Sequence, residues 1–194
     1  FPPKRGCVSD RPTLLCMAAF DERRKGLRVL VEAFTLLKRD APDAVLRLSG
    51  RLPEEVRREV IDPLPEPVKR DIETLGTGAI ADLPRLYREA SVTVVPSMWE
   101  AYGMAVVESW ASGTPVVATN HGGLPELVRD ARLGRMFEPL TDGQETRNAR
   151  GLAGAIVEAL ALARDPTTGN RCREEAERFS WERLGPQYES LYSI

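Results

Sequence analysis

Apolar runs of strand length alternate with segments of helical periodicity along most of the chain. Residues 13–20 (TLLCMAAF) are almost entirely apolar, whereas in residues 26–40 the apolar side chains recur at every third or fourth position. A short apolar run bounded by turns is typical of a buried strand, and a spacing of three and four residues is typical of a helix with one buried face. The chain therefore begins with a predicted strand followed by a predicted helix.

The same alternation continues to about residue 139. Further strands are predicted at 44–50, 72–75, 91–97, 115–119 and 134–139, and helices at 52–60, 81–90, 103–112, from about residue 124 and across 148–193, with a proline-rich turn at 63–67. Such regular alternation requires parallel strands joined by right-handed crossovers. The predicted fold class is α/β, a Rossmann-like doubly wound parallel sheet flanked by helices. Ligands of such sheets bind beyond the carboxyl ends of the strands.

Length and composition favour one domain with a linker before it. A chain of 194 residues with 42% apolar content buries one core of ordinary size. Residues 1–11 contain prolines and charges without periodicity, so we interpret them as a linker from an upstream domain. The predicted domain is residues 12–194.

Charge and cysteine usage exclude several classes of function. The net charge of −2, from 27 basic and 29 acidic residues, gives no reason to expect nucleic acid or an anionic membrane as a partner. Cys7, Cys16 and Cys172 lack CxxC spacing, which argues against a disulfide framework and a zinc site. The sequence shows no apolar run long enough to span a bilayer and no secretory leader. These features predict a cytoplasmic protein.

Two carboxylates, Glu100 and Glu108, interrupt the apolar stretch from Val94 to Gly123. Glu100 follows a predicted strand, in a loop at the ligand-binding edge of the sheet. Glu108 lies in the next helix, whose other residues are apolar nearly all round, as in a buried helix. An ionised carboxylate is costly to bury without donors, and ribose hydroxyls or an arginine are both suitable partners. The free amides from Gly103 to Ala105 favour an anion or sugar oxygens.

This segment resembles the E-x7-E region of the family 4 retaining glycosyltransferases, which have the GT-B fold. The matching residues are Pro96, Ser97, Glu100, Tyr102, Gly103, Glu108, Ala111, Gly113, Pro115, Val116, Val117, Gly122, Gly123, Pro125 and Glu126. Residues 20–34 are similar to the family's lysine-glycine loop and the helix after it, and the resemblance extends over about residues 12–193. It implies the C-terminal, donor-binding half of such an enzyme.

The resemblance also implies a role for each site residue. Glu100 would bind hydroxyls of the donor sugar, and Lys25 would neutralise charge on the leaving diphosphate; these two are the predicted catalytic residues. The other predicted donor-binding residues include Tyr102, Gly103, Met104 and Ala105. Glu108 would bind the ribose, and Gly50, Leu75 and Gly76 would contact the base. No D-x-D sequence occurs, so neither a metal nor another cofactor is expected.

One position departs from the family pattern. The family usually carries an arginine six positions before the lysine, where this chain has Ala19. Either Arg23 or Arg24 substitutes for it, or Lys25 alone holds the diphosphate. This departure bears on catalysis more than on fold.

Each candidate residue also has an ordinary structural explanation. Glu108 would pair with an arginine, Glu100 would be a solvated loop residue, and Lys25 would belong to a charged turn. His121 is interpreted as a turn residue. Residues 76–81 (GTGAIA) match a dinucleotide-binding fingerprint, which we discount because they belong to the third strand–helix unit rather than the first.

The predicted parent enzyme transfers a sugar from a nucleoside diphosphate donor to an acceptor held by an N-terminal half absent from this sequence. Any peripheral membrane contact would come from that half. The alternatives are a GT-B nucleotide-sugar epimerase and a non-catalytic nucleotide-sugar-binding or regulatory domain.

Overall fold

A computed structural model describes residues 11–139 and 145–192. Six strands in these ranges form one parallel sheet: β1 (Thr13–Met17), β2 (Val45–Ser49), β3 (Ile72–Gly76), β4 (Val92–Val95), β5 (Val116–Thr119) and β6 (Gly134–Phe137). Their order is β3-β2-β1-β4-β5-β6. The sheet is therefore doubly wound, and the predicted Rossmann-like fold class is confirmed.

Helices connect the strands and close the chain. They are α1 (Leu27–Leu37), α2 (Glu54–Val60), α3 (Glu66–Lys69), α4 (Leu83–Glu89), α5 (Met104–Ala111), α6 (Leu124–Leu127), α7 (Glu145–Arg164), α8 (Thr168–Ala176) and α9 (Trp181–Tyr192). Short 3-10 turns lie at Arg23–Lys25, Ile80–Asp82 and Glu177–Phe179. In residues 11–139 and 145–192, no helix is both long and apolar enough to cross a membrane.

The elements differ from the predicted ones mainly at their ends. Strand β1 ends at Met17, three residues before the end of the predicted apolar run, although Phe20 still donates its amide to the Arg51 carbonyl. Strand β4 ends before Pro96, which has no N–H to donate to a ladder. The predicted turn at 63–67 instead leads into the short helix α3.

Alternate residues of the strands bury against helices on the two faces of the sheet. On one face Leu14 and Leu46 belong to a core cluster formed with α1 and α7, which pack against each other. On the other face Leu15 packs with residues of α4, and Val116 packs with residues of α5 and α8. Burial on both faces explains why these strands read as continuous apolar runs in the sequence.

The strand order reverses between β1 and β4, which pair with each other. The connections after these two strands run in opposite directions, so a crevice opens between them at the carboxyl edge of the sheet. The two bordering loops, residues 18–26 and 96–103, contain Lys25 and Glu100. Of the predicted linker, residues 1–10 lie outside the described residues.

Candidate functional site

Lys25 and Glu100 meet across the crevice between β1 and β4. The ammonium Nζ of Lys25 donates a hydrogen bond to Glu100 Oε2 at 2.9 Å. Both side chains are mostly but not fully covered, with 17% and 23% of their surface exposed. The structure thus brings together the two residues predicted to be catalytic, 75 positions apart in the sequence. Glu100 therefore has a charged partner and is not simply a solvated loop residue, whereas Lys25 does lie in a turn of three basic residues.

Backbone contacts hold the two loops together. Gly26 adopts a left-handed conformation (φ 72°), and a Cβ atom added there would lie 2.0 Å from the Pro96 carbonyl oxygen. The Met98 amide donates to the Arg24 carbonyl at 2.6 Å. A glycine is therefore required after the lysine both for its backbone angles and for the close approach of the second loop.

The loop after β5 supports Glu100 from another direction. The Gly123 amide donates to the Glu100 carbonyl at 2.9 Å, so the backbone of Glu100 is held on a second side. His121 is exposed and its amide bonds to the Thr119 carbonyl. This placement agrees with the interpretation of His121 as a turn residue.

Helix α5 begins at the crevice. Gly103 precedes it with φ 88°, a left-handed conformation that aims the first turn of the helix at the crevice. The amides at the start of a helix have no intrahelical acceptor, so those of Gly103, Met104 and Ala105 form a donor group there. Met104 is 55% exposed, and Tyr102 packs edge to face on Phe179 with ring centroids 6.5 Å apart.

Glu108 is bonded to Tyr87 of α4. The Tyr87 hydroxyl donates to Glu108 Oε2 at 2.7 Å. Burial, and secondarily the negative charge of Glu108, raise the pKa of Tyr87, so the phenol stays protonated and donates. In the described part of the chain, no arginine or lysine is within ion-pair distance of Glu108. The partner is therefore a tyrosine rather than the arginine considered from the sequence.

The prediction of a helix buried nearly all round is wrong for the start of α5. Met104 is exposed, and Ala105 and Glu108 are partly exposed, so this side of the helix faces the crevice. The far side, with Val106 and Trp110, is buried. Tyr87 is not among the predicted site residues, because its only signal in the sequence is a tyrosine on the apolar face of a predicted helix.

The three residues predicted to contact a base lie at the ends of β2 and β3. The Gly50 amide donates to the Gly76 carbonyl at 2.8 Å, which ties the two strand ends together. Leu75 is 40% exposed and lines a cavity of about 260 Å³ between these strands and α4. Ser49 and Gly78 line the same cavity, whereas Gly50 and Gly76 do not.

A larger cleft of about 600 Å³ lies between α1 and α2. Its lining includes Arg23, Arg24 and Met98, but neither Lys25 nor Glu100. The larger cleft therefore lies between α1, α2 and the loop after β1, and it does not include the Lys25–Glu100 pair. Chemistry rather than size selects the crevice as the candidate site.

The arginines near Ala19 do not converge on the Lys25–Glu100 pair. Arg24 pairs with Glu22 at 2.5 Å and donates to the Trp99 carbonyl at 3.2 Å. Arg23 is exposed and lines the larger cleft. Ala19 itself is partly buried.

Residues 11–139 and 145–192 contain no cluster of three or more histidine, cysteine, aspartate or glutamate side chains placed to hold a metal ion. Cys16 is buried in β1, and burial raises the pKa of its thiol to about 12 despite the opposing charge of Lys25. At neutral pH Cys16 is a protonated core residue. That the protein uses neither a metal nor another cofactor stays a prediction.

Comparison with known proteins decides the family. The profile of the family described as Glycosyl transferases group 1 matches residues 11–162. The chain belongs to this family. A D-inositol 3-phosphate glycosyltransferase of Pseudarthrobacter chlorophenolicus is 35% identical over 160 residues, which cover 73% of this chain and 37% of that protein.

Solved structures of other proteins share the fold. A sucrose-phosphate synthase from Thermosynechococcus elongatus superposes with a TM-score of 0.77 at 32% identity, over 94% of this chain and 45% of that one. The Anabaena protein HepE, solved with UDP, superposes with a TM-score of 0.73 at 24% identity, over 96% of this chain and 50% of that one. The group 1 chain described here thus spans half or less of the length of these relatives.

Proposed function

We propose that this chain is the nucleotide-sugar donor-binding half of a retaining group 1 glycosyltransferase of GT-B fold. The observation that carries the proposal is the Lys25–Glu100 pair at the strand-order reversal, next to the first turn of α5 and in E-x7-E spacing with Glu108. Family membership and the transferase names of its relatives favour a transferase over an epimerase or a non-catalytic domain.

The donor would extend along the carboxyl edge of the sheet. Its sugar hydroxyls would bond to Glu100, and its diphosphate would meet Lys25 and the amides of Gly103, Met104 and Ala105. The ribose would bond to the Glu108 oxygen that Tyr87 does not occupy. Tyr102, two residues before the start of α5, would border the sugar.

The base would enter the cavity between β2, β3 and α4. That cavity lies on the face of the sheet that α4 and its Tyr87–Glu108 bond occupy, which supports its use by the same ligand. The hydrogen bond between Gly50 and Gly76 would fix the two strand ends beside the cavity, and Leu75, which lines it, would contact the base plane.

Transfer would break the bond between the anomeric carbon and the diphosphate oxygen and form one to an acceptor oxygen. The hydroxyl proton of the acceptor would leave together with the diphosphate. Negative charge then builds on the leaving diphosphate. The Lys25 ammonium, held in place before the reaction, would stabilise that charge more in the transition state than in the bound donor. The acceptor would bind to a further domain.

The proposal is tested by calorimetric titration of the chain with UDP, GDP and ADP. We expect one nucleotide to bind saturably, and Glu108→Gln to weaken it at least tenfold, about 1.4 kcal/mol, because a carboxylate is a stronger acceptor for ribose hydroxyls than an amide. Glu158→Gln on α7, which removes an exposed carboxylate paired with Arg135, is the matched control and should bind normally. Equal affinity in both variants would exclude Glu108 from the site.

A further inference from the structure

Residues 22–26 and 96–100 form a two-loop clasp, in which three consecutive residues of one loop, 24–26, each contact the other loop. Gly26 lies against the Pro96 carbonyl, the Arg24 carbonyl accepts from the Met98 amide at 2.6 Å, and Lys25 pairs with Glu100 at 2.9 Å. The fourth contact runs from Arg24 Nη1 to the Trp99 carbonyl at 3.2 Å. Arg24 thus bonds to the facing loop twice, once through its backbone and once through its side chain.

The local helix type sends the three basic side chains in different directions. Arg23, Arg24 and Lys25 form one 3-10 turn, in which consecutive side chains lie about 120° apart. Lys25 reaches Glu100, Arg24 reaches the Trp99 carbonyl, and Arg23 borders the larger cleft. A rotation of this turn would therefore move Lys25 away from Glu100 at the same time as it broke the Arg24 contacts.

The guanidinium of Arg24 is suited to hold the orientation of this turn fixed. One of its terminal nitrogens, Nη2, pairs with Glu22 of its own loop at 2.5 Å, while Nη1 bonds to the facing loop. A planar fork that bonds two acceptors at once restrains direction as well as distance, whereas a lysine ammonium at the end of a flexible stem does not.

We propose that Arg24 is a positioning residue for Lys25. It fixes the turn at residues 23–25 so that the Lys25 ammonium stays beside Glu100, and it does so without touching the ligand. The inference rests on the proposed donor site for its functional consequence. It also separates the roles of Arg24 and Lys25: Arg24 orients the cation, and Lys25 is the cation that meets the diphosphate.

The test compares Arg24→Gln, Arg24→Lys and a control, Arg28→Gln, in the full 194-residue chain. Arg28 lines the same larger cleft and pairs with Glu59, so its loss removes a nearby cation without touching the clasp. Two quantities are measured: amide hydrogen exchange at Met98, and affinity for UDP, GDP and ADP beside UMP, GMP and AMP. Thermal unfolding of each variant checks that it folds.

In Arg24→Gln we expect exchange at Met98 to accelerate at least tenfold, because the clasp opens more often. Affinity for the nucleoside diphosphate should fall at least fivefold, while affinity for the matching monophosphate changes less than twofold, because only the outer phosphate needs a fixed Lys25. Arg24→Lys should restore part of both effects, and Arg28→Gln should match the wild type.

Unchanged exchange at Met98 together with unchanged diphosphate affinity in Arg24→Gln would overturn the inference. Equal losses for mono- and diphosphate would also overturn it, since they would indicate a general effect of charge or folding. If the wild type bound no nucleotide, the proposed donor site would fail, and exchange at Met98 would then show separately whether Arg24 holds the clasp.

Discussion

Lys25 and Glu100 form a contact that water still reaches, so a ligand can replace it. The two side chains are mostly covered, with 17% and 23% of their surface exposed, so the pair lies between an exposed ion pair and a buried one. A donor that offers hydroxyls to Glu100 and phosphate to Lys25 would replace this pair with several charge-assisted bonds. In the proposed function, the same two groups would shape the crevice and recognise its ligand.

We expect Lys25→Met and Glu100→Gln to affect binding as a unit. Each should lower the free energy of unfolding, because it leaves a mostly covered partner without its ion pair. Lys25→Met should also weaken nucleoside diphosphate binding at least tenfold, about 1.4 kcal/mol. The double variant should lose less than the sum of the two single losses, because the residues share a contact. Urea unfolding and calorimetric titration measure the two effects.

The control pair for this cycle is Lys69→Met with Glu66→Gln. These residues form an ion pair within α3, away from the crevice, in which Glu66 is exposed and Lys69 is partly covered. Their variants should bind nucleotide normally. Strict additivity of the Lys25 and Glu100 losses would mean that the two residues act on the donor independently.

At the scale of elements, the sequence predicted which segments are strands and helices but not where the loops between them meet. Periodicity reports which face of an element is buried, so β1, α1 and β4 were found with errors only at their ends. The ends depend on single groups, such as the missing N–H of Pro96. The short helix α3 was not predicted, because prolines are as common in turns as they are in the first turn of a helix.

For the candidate site too, the sequence predicted individual residues but not the contacts between them. Glu100 and Glu108 stood out because carboxylates are rare in an apolar stretch, and Lys25 stood out as one of four lysines. The Tyr87–Glu108 bond and the clasp contact of Arg24 join residues far apart in sequence, through tertiary packing that no local pattern records. Pattern therefore yields the candidates for a site, and packing decides their partners.

Gly103→Ala tests the turn that directs α5 at the crevice. Gly103 has φ 88°, and an added Cβ would lie 2.7 Å from Leu124 Cδ2. We expect a loss of about 1–2 kcal/mol in unfolding free energy from the left-handed conformation, with weaker nucleotide binding because the first amides of α5 shift. Unfolding and titration of the same sample measure both.

Gly154→Ala is the matched control. Gly154 lies inside α7, and an added Cβ would meet nothing within 4 Å. An alanine there should stabilise the protein by about 0.5–1 kcal/mol and leave binding unchanged. Normal binding by a destabilised Gly103→Ala would show that the start of α5 does not contact the ligand.

Asp71 links helix α1 to the sheet and should make stability depend on pH. Its carboxylate accepts from Lys38 at 2.7 Å and from Arg11 at 2.5 Å. The hydrogen bond from Lys38, and then the charges of Lys38 and Arg11, lower the pKa of Asp71 against the opposing effect of burial. Because the folded pKa is lower than the unfolded one, the contribution is present above about pH 4 and is lost as pH falls through the folded pKa.

Asp71→Asn should therefore destabilise the protein by about 2 kcal/mol at pH 7 and by less at pH 3. Urea unfolding of both proteins at the two pH values measures the difference, with Asp40→Asn as an exposed control. A deficit of the same size at both pH values would show that the charge of Asp71 does not contribute to stability.

At the scale of the whole molecule, the edge that carries the candidate site also carries exposed apolar side chains. Leu75, Ile80, Trp99, Tyr102 and Met104 all lie on or next to the loops after β3 and β4. Exposed apolar groups collected at one edge are typical of a surface that contacts a ligand or another domain. The chain spans half or less of the length of its relatives, so we expect further residues of the whole protein to form the opposite wall of the crevice.

The last prediction concerns the sugar transfer that this expected second wall would make possible. The 194-residue chain should bind the nucleoside diphosphate but transfer sugar at least about a thousandfold more slowly than a protein that also contains the acceptor-binding domain. In the proposed function, donor binding would depend on the described residues, whereas transfer would also require an acceptor oxygen held close to the anomeric carbon. Positioning of two reactants accounts for much of such a rate. A coupled assay of nucleoside diphosphate release, with and without acceptor, measures both proteins under the same conditions. Comparable turnover by the isolated chain would show that residues 1–194 already form a complete site, and the catalytic role of a second domain would then have to be abandoned.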